Sequence, residues 1–573
     1  MYNNNNDSHM LVNLPHILLS KIINYLDDNI DRICCSFVCR KWFNERERYL
    51  SFNTDRLFVT DMQDNDHFYL KSYQSLMSKS IDTKSKCSLI IGDNRFENDF
   101  HLTPQSFRTI NGFSLYVYKL ILCDQTTRNA FKDDHQKVES LLKMISNSNI
   151  VKFKGCPTIR FRLPTNLTSV TFSGYFDEPL LPGYLPPMLK RLYLGNGLKS
   201  NFNQPITAAV LPNTLEKLVL GYRFSHPLEP GVLPVSLRVL RINGTAFTYK
   251  PIVGTFPPNL EILEYSGYDS PIGDGVLPAT LHTIEYIPLS WIPAVRSLPN
   301  IRSLTFWHWD FNEDFQTISL SDLPMTLTRL GVYSTTELAG SMPPSIKHLS
   351  LEGATYEVDE IFKDRSQYHL DFLKIDGQFE QSLASLDIKH LEIDHGANDE
   401  EQCHVAIPHG VESVRIELNV SAFNTPIPST VKKFITSDSS NSLDGFEKLI
   451  SPDIITDALE ELVINYNSTI FPRKYSQYLS SISFSFPMHR IPNKLVLICR
   501  NHEKISIRRI HRNQFIIFGH SPNLSAIINE SQIWNFISHH IKSNIHNPRI
   551  KVNNDSYHRS IRQQTLNLNH QIN

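Results

Sequence analysis

The sequence of 573 residues lacks the features of a membrane or secreted protein. It has no apolar run of the roughly 20 residues that a spanning helix needs. Residues 1–10 are Asn-rich and lack the charged and apolar regions of a secretory signal. The formal net charge of −2 gives no overall attraction to nucleic acid or anionic lipid. We therefore expect a cytoplasmic or nuclear protein that is not secreted and has no membrane partner.

Motifs of enzyme chemistry are also missing. The sequence has no P-loop, no G-x-S-x-G and no H-E-x-x-H motif. Its eight cysteines form no C-x-x-C pair, and Cys34, Cys35 and Cys39 lie in an apolar helical pattern without a partner pair at zinc spacing. We expect these thiols to be buried. We therefore predict no catalytic residue, no metal site and no cofactor.

What the sequence has is an internal repeat of about 22 residues. Each copy begins with an apolar residue followed by Pro, at Leu163, Leu185, Leu211, Leu233, Phe256, Leu277, Leu298, Leu323 and Met342. An L-x-x-L-x-L run follows most of these marks, as in Leu215, Leu218 and Leu220. Repetition at this period indicates a solenoid, whose units stack on one another and offer a long surface to a partner.

The spacing within each copy predicts a short strand. The second and third apolar positions are two apart, so their side chains share one face of a strand and can stack into a parallel sheet with a continuous core. The connections are rich in Pro and Gly, which leaves little room for helices. The L-x-x-L-x-L signal continues without Pro marks, for example at Leu370, Leu459 and Leu479, so we place the repeats at 150–500.

The apolar spacing matches a leucine-rich repeat, but the usual ladder Asn is missing. An aromatic residue followed by x-x-Pro-Leu/Ile stands there instead, as in Phe202-Asn203-Gln204-Pro205-Ile206 and Phe423-Asn424-Thr425-Pro426-Ile427. These segments resemble the motif that names the FNIP repeats, a divergent leucine-rich-repeat family. The resemblance is strongest between about 163 and 280, and the register beyond about 350 is open.

Residues 11–50 predict three short amphipathic helices. Leu18, Ile22 and Leu26 recur every four residues, and a second apolar pattern follows the break at Asp27 and Asp28. Helices this short cannot bury so wide an apolar surface among themselves, which argues for a partner.

This segment resembles an F-box. The matching residues are Leu14-Pro15, Ile22, Leu26 and the run Val38-Cys39-Arg40-Lys41-Trp42. The resemblance implies binding to a Skp-family adaptor and, through it, to a cullin ligase. It places at or beneath that interface Leu14, Pro15, Leu18, Ile22, Val38 and Trp42. The alternative is that some of them, Trp42 above all, hold the helices together. An F-box followed by FNIP repeats resembles the F-box and FNIP repeat-containing family.

The whole chain is thus expected to be α+β, a three-helix F-box followed by a leucine-rich-repeat-like parallel β solenoid with short Pro/Gly-rich returns. We assign residues 1–10 to a disordered start, 11–50 to the F-box, and 51–149 to a linker and N-terminal cap with a strand at 115–122 and a helix at 135–146. Residues 501–545 form a C-terminal cap with a helix at 531–543, and 546–573 a disordered basic tail. Basic residues there could bind nucleic acid, but a cap and tail explain them more simply.

The function implied by the resemblance is a non-catalytic substrate-receptor subunit of a Skp-cullin-F-box type ubiquitin ligase. The alternative is a protein-interaction scaffold outside any ligase. Outward-facing positions of the middle repeats carry residue types that are enriched in binding hot spots. The predicted target-binding residues are Trp307, Trp309, Arg329, Tyr333, His348 and Glu352. Alternatively, Trp307 and Trp309 fold into an irregular turn. The target itself is unknown.

Overall fold

The computed structural model describes most of the repeat region and parts of the rest of the chain. The described residues are 13–26, 29–52, 56–59, 73, 76, 87–91, 117–122, 135–195, 200–242, 244, 247–267, 269–308, 316–334, 336–376, 382–394, 405–418, 427–438, 456, 458–465, 493–498, 504–511, 513–518 and 525–529.

Three short helices form an N-terminal helical unit: α1 (His16–Asn24), α2 (Asn29–Ser36) and α3 (Arg40–Asn44). Pro15 directly precedes α1, and its carbonyl accepts hydrogen bonds from the amides of Leu18 and Leu19. The unit has its own apolar core, with Leu19, Ile23 and Ile33 almost fully buried. The predicted three-helix arrangement is confirmed. The thiols Cys34, Cys35 and Cys39 are half-buried rather than fully buried as expected.

Within the described residues, a 22-stranded sheet dominates the fold. Its strands are β1 (Arg56–Val59), β2 (Cys87–Ile91), β3 (Val117–Leu122), β4 (Lys152–Cys156), β5 (Ser169–Phe172), β6 (Arg191–Leu194), β7 (Lys217–Leu220), β8 (Val239–Ile242), β9 (Ile262–Tyr265), β10 (Thr283–Ile287), β11 (Ser303–His308), β13 (Arg329–Ser334), β15 (His348–Glu352), β16 (His369–Asp376), β17 (Asp387–Asp394), β18 (Ser413–Leu418), β19 (Lys433–Asp438), β20 (Glu461–Asn465), β21 (Lys494–Ile498), β22 (Lys504–His511), β23 (Gln514–Phe518) and β24 (Ser525–Asn529). A separate two-stranded parallel sheet pairs β12 (Gln316–Ser319) with β14 (Thr336–Ala339).

The strands of the solenoid pair in parallel from β1 to β21. The predicted apolar triplets lie in register, so that Leu192 is opposite Leu218 and Leu218 is opposite Leu240. These side chains are fully buried, and they belong to one core that extends along the repeats. Each repeat thus closes the open face of its neighbour, as the sequence periodicity predicts.

The register also continues beyond residue 350. Leu349, Leu373, Leu391 and Val414 are successive partners in β15 to β18. The triplet predicted at Leu479, Ile482 and Phe484 lies outside the described residues, and so does the predicted helix at 531–543.

The returns between β5 and β10 are extended or turn-like in their described residues, as the Pro and Gly content predicts. Later returns carry short helices: α5 (Ile292–Arg296), α6 (Val358–Ile361) and the single 3₁₀ turns Leu289–Trp291, Leu320–Asp322 and Arg365–Gln367. These copies lack the complete aromatic-x-x-Pro-Leu/Ile motif of the earlier returns. A longer helix, α4 (His135–Ser146), precedes β4 as expected.

The aromatic residue of the FNIP-like motif forms a stack inside the solenoid. The ring centroids of Phe176 and Phe202 lie 5.8 Å apart with planes 2° from parallel, and those of Phe202 and Phe224 lie 6.2 Å apart at 1°. Phe247 extends the stack beyond Phe224. All of these side chains are buried, so each copy adds one ring to a continuous column.

Two polar ladders accompany this stack. Asp177 Oδ1 accepts the Asn203 amide at 2.9 Å, and Asn203 Oδ1 accepts the Ser225 amide at 3.0 Å, so each copy caps the backbone of the next. At several of the Pro marks a hydroxyl three residues after the mark donates to carbonyls of the preceding copy, as when Thr280 Oγ1 approaches the Leu260 carbonyl oxygen to 2.7 Å. This ladder was not predicted from the sequence: its residues, Asp177 and Asn203, directly follow the aromatic residue and do not occupy the usual leucine-rich-repeat Asn position.

The parallel sheet begins earlier than residue 150, where we placed the first repeat. β1, β2 and β3 already pair in parallel within 56–122, a region without Leu-Pro marks. At the other end, β21 to β24 pair antiparallel, which ends the parallel succession of strands.

The C-terminal strands also contact the N-terminal helical unit. Ile507 and Phe515 face the solenoid core, whereas Ile516 belongs to the core of the helical unit. Arg508, which is 5% exposed, donates from Nε to Asp31 Oδ1 at 2.9 Å. The described ends of the fold are therefore joined through both an apolar cluster and an ion pair.

Candidate protein-interaction surfaces

One candidate surface is the solvent-facing side of α1 and the turn before α3. Leu18 is 46% exposed, Ile22 52% and Val38 61%. Pro15 is exposed next to them in sequence. The buried stripe of α1 is Leu19 and Ile23, so the exposed stripe is a second apolar face on the same helix. We call Pro15, Leu18, Ile22 and Val38 the helical apolar surface.

The other two residues predicted for this interface have different surroundings. Leu14 is half-buried. Trp42 is also half-buried and packs against the helical core, where its carbonyl accepts the Tyr49 hydroxyl at 2.7 Å. Its ring meets that of Tyr49 edge-on at 6.4 Å. Trp42 therefore helps to hold the helices together, as the alternative interpretation stated.

Two exposed residues of this region were not predicted. Ile17 is 74% exposed and Tyr25 is 88% exposed, both on or directly after α1. Both residues are recognisably apolar or aromatic in the sequence, but they lie outside the four-residue spacing by which Leu18 and Ile22 were selected.

A second candidate surface lies on the outer face of the sheet at β11, β13 and β15. The register places Trp307 opposite Tyr333 and Tyr333 opposite Glu352 in one row, and Arg329 opposite His348 in another. Arg329 is exposed and the other four are half-buried. The structure therefore brings together five of the six predicted target-binding residues, and Trp309 lies outside the described residues.

Neighbouring groups extend this surface. The ring of Tyr286, a residue with a φ of 59°, lies 6.1 Å from that of Tyr333. The Tyr333 hydroxyl oxygen accepts a hydrogen bond from the Ser350 hydroxyl at 3.2 Å. Burial raises the pKa of Tyr286, and the neighbouring Tyr333 adds to this effect. Burial and the charge of Arg329 lower the pKa of His348, so this imidazole favours its neutral form. We call Tyr286, Trp307, Tyr333 and Arg329 the aromatic face.

An ion network borders the aromatic face. Lys374 Nζ lies 2.8 Å from Glu352, 3.2 Å from Glu392 and 3.3 Å from Asp394. Burial opposes the charge on Lys374, but the hydrogen bond and negative charge of Glu352 outweigh it and raise the pKa of the amine. Burial raises the pKa of Glu352 as well. The network orders the side of the sheet next to the aromatic face.

Other kinds of site were not found in the described part of the chain. No group of three His, Cys, Asp or Glu side chains there could hold a metal ion. None of the helices described above is long and apolar enough to span a membrane.

Comparison with known proteins identifies part of the repeat region. The family model of the FNIP repeat matches residues 158–197 and 202–245. These two segments are FNIP repeats. The matched FNIP repeats contain β5 to β8 and the start of the aromatic stack, so the resemblance inferred from their motif is confirmed. No curated protein matches the chain.

Two solved structures are similar to this chain. One is the crystal structure of CroV588, described as a novel circular LRR protein structure, with 16% identity, a TM-score of 0.33, and coverage of 71% of this chain and 62% of that chain. The other is the TLR13-ssRNA13 complex, with 13% identity, a TM-score of 0.27, and coverage of 67% of this chain and 57% of that chain. In both cases the match covers less than two thirds of the solved chain.

Proposed function

We propose that this chain is the substrate-receptor subunit of a Skp-cullin-F-box type ubiquitin ligase. The N-terminal helical unit would bind the Skp-family adaptor, and the solenoid would hold a target protein. The repeat solenoid is itself the architecture of a protein-interaction scaffold. The observation that carries the ligase part of the proposal is the helical apolar surface, together with the resemblance of its sequence to an F-box.

The adaptor side of the proposal depends on an apolar face that is exposed in the described part of the chain. Leu19 and Ile23 already fill the core of the helical unit, so Leu18 and Ile22 are not needed there. Clustered exposed apolar side chains commonly mark a protein interface. Apolar anchors at the centre of such an interface often contribute about 2 kcal/mol or more each.

The target side of the proposal uses the aromatic face. Trp, Tyr and Arg dominate binding hot spots. Trp307 and Tyr333 are directly opposite on adjacent strands here, and Arg329 lies four residues before Tyr333 on the same strand. Because parallel strands are about 4.8 Å apart, the two rings can cover a continuous patch. Half-burial limits the rotamers of the rings, which lowers the entropy lost on binding.

The mechanism is proximity. A receptor that holds target and ligase together raises the effective concentration of target lysines near a charged ubiquitin carrier. In this proposal no residue of the chain performs bond chemistry and no cofactor takes part. The hydrogen-bonded ion pair between Arg508 and Asp31 supports the mechanism, since it connects the helical unit to the C-terminal strands and limits the motion of the helical unit.

The second candidate is a protein-interaction scaffold outside any ligase. It shares the aromatic face but requires no adaptor. The two candidates differ in whether a Skp-family adaptor and a cullin accompany the protein when it is captured from cells.

The test is affinity capture of the full chain with the proteasome or cullin activation blocked. We expect Leu18→Ala with Ile22→Ala to lose the adaptor but keep targets, and Trp307→Ala with Tyr333→Ala to lose targets but keep the adaptor. The control is Ile252→Ala with Val253→Ala, an exposed apolar pair on the solenoid. Capture of targets without adaptor by the wild-type protein would favour the scaffold.

A further inference from the structure

The outer face of the sheet at β4 to β8 carries a concentration of positive charge. The positions on the outer side of these strands are Lys152, Lys154, Ser169, Thr171, Arg191, Tyr193, Lys217, Val219, Val239 and Arg241, of which Val219 is buried. None of them is a carboxylate. Arg191 is directly opposite Lys217. Like charges in such cross-strand positions are unfavourable. We call Lys152, Lys154, Arg191, Lys217 and Arg241 the basic face.

Most of this charge is not neutralised within the described residues. Arg241 Nε lies 3.0 Å from Glu264 on the next strand. Lys154, Arg191 and Lys217 have no ion-pair partner in the part of the chain that the structure describes. The Lys217 ammonium instead lies 5.4 Å from the ring centroid of Tyr193. Burial lowers the pKa of Lys217, and the charges of Arg241 and Arg191 lower it further, whereas Glu264 opposes this effect.

Neighbouring cations off this face are paired. Lys190 Nζ lies 2.8 Å from Glu216, and Arg238 Nη1 lies 2.5 Å from Glu261. Lys190 directly precedes β6, and Arg238 directly precedes β8. The repeats therefore place carboxylates beside some of their basic residues, but not on the sheet face from β4 to β8.

The dimensions of the basic face define the shape of a complementary ligand. From β4 to β8 the strands cover about 19 Å at a spacing of about 4.8 Å, and the two rows of side chains are about 7 Å apart. Glu264 and Glu285 begin an acidic region on β9 and β10, which limits the face on that side. A strip of this size fits about six extended residues. It is short for nucleic acid, and its charge is spread too widely for a single phosphate.

We propose that the basic face binds an acidic segment of a partner polypeptide, an extended run of Asp and Glu lying across β4 to β8. Arg191 and Lys217 would contact its carboxylates directly, and Lys154 and Arg241 would contact its ends. The inference rests on the proposed use of the sheet face for partner binding, and it names the chemistry of a second region of that face. A partner could occupy the basic face and the aromatic face together, since both lie on the same side of the sheet.

The test measures fluorescence anisotropy of labelled peptides with the full chain at low salt. The probes are a peptide of about ten Asp and Glu residues, the same peptide with Asn and Gln, a neutral peptide with one phosphoserine, and a single-stranded oligonucleotide. The variant is Arg191→Gln with Lys217→Gln. The control, Lys363→Gln with Lys432→Gln, makes the same change in net charge at exposed positions elsewhere.

We expect the acidic peptide to bind the wild-type protein and the control alike, and the variant about tenfold or more weakly, since two charge-assisted contacts are lost. Binding should also weaken as salt rises. Melting temperatures of variant and control should match, because the replaced side chains lie outside the core.

Three results would overturn the proposal: no binding of the acidic peptide, equal weakening in the control, or tighter binding of the phosphopeptide or the oligonucleotide than of the acidic peptide. Failure of the proposed ligase function is a separate outcome. It would be seen as no capture of the adaptor by the wild-type protein, or as targets retained by the Trp307→Ala, Tyr333→Ala variant, and neither readout involves the basic face.

Discussion

Replacing Phe202 by Ala should destabilise the FNIP repeats strongly. Phe202 is fully buried between the rings of Phe176 and Phe224, at centroid distances of 5.8 and 6.2 Å. Truncating a buried Phe to Ala removes its transfer free energy and leaves a cavity, for a loss of about 3–5 kcal/mol. Both neighbouring rings also lose a stacking partner, so we expect a value in the upper half of that range.

Hydrogen exchange and urea denaturation measure this loss. Since each repeat contacts mainly its neighbours, protection should fall most in β6 and β7 and much less in β16 to β18. Phe202→Leu keeps most of the volume and should lose only about 1–2 kcal/mol. The control is Tyr175→Ala, because Tyr175 is adjacent to Phe176 but 53% exposed, and surface changes usually stay within about 0.5 kcal/mol. If Phe202→Ala were no less stable than Tyr175→Ala, the aromatic stack would not support the repeats.

Three further changes test other parts of the fold. Leu218→Asp should cost several kcal/mol, because a carboxylate would replace a fully buried side chain without a partner; an unchanged melting temperature would show that the strand register is wrong. Asp31→Asn should loosen the helical unit by about 1–3 kcal/mol, since Arg508 would lose a charged partner in a nearly buried position; hydrogen exchange in α2 and β22 should rise together, and unchanged exchange would contradict the contact. Thr280→Val keeps the side-chain shape but removes the hydroxyl that donates to the Leu260 carbonyl, so urea denaturation should show a loss of about 1 kcal/mol, and no loss would mean that this ladder is not stabilising.

Much of the repeat architecture could be predicted because it depends on periodicity. Leu192, Leu218 and Leu240 are spaced as parallel strands require, and the structure places them in register. The ladder at Asn203 was missed because it was sought at the usual leucine-rich-repeat position, whereas here it follows the aromatic residue. The contact between Arg508 and Asp31 could not be predicted, since the sequence pattern around each residue does not indicate which distant residue it will contact.

The candidate surfaces were predictable to different degrees. Trp307, Tyr333 and Glu352 were found because strand alternation alone determines which residues face outward. Tyr286 was missed because a positive φ places it in an irregularity of β10, where alternation fails. The charge of the basic face becomes visible only when the register aligns Arg191 with Lys217.

The most direct test of the proposed function is a binding titration of the purified full chain with a recombinant Skp-family adaptor. We predict that the wild-type protein and the Ile252→Ala, Val253→Ala control bind with equal affinity. Leu18→Ala with Ile22→Ala should weaken binding by about 2 kcal/mol or more, since it removes two exposed apolar anchors. The proposal is contradicted if the wild-type protein does not bind the adaptor, or if the folded Leu18→Ala, Ile22→Ala variant binds it as tightly as the wild type.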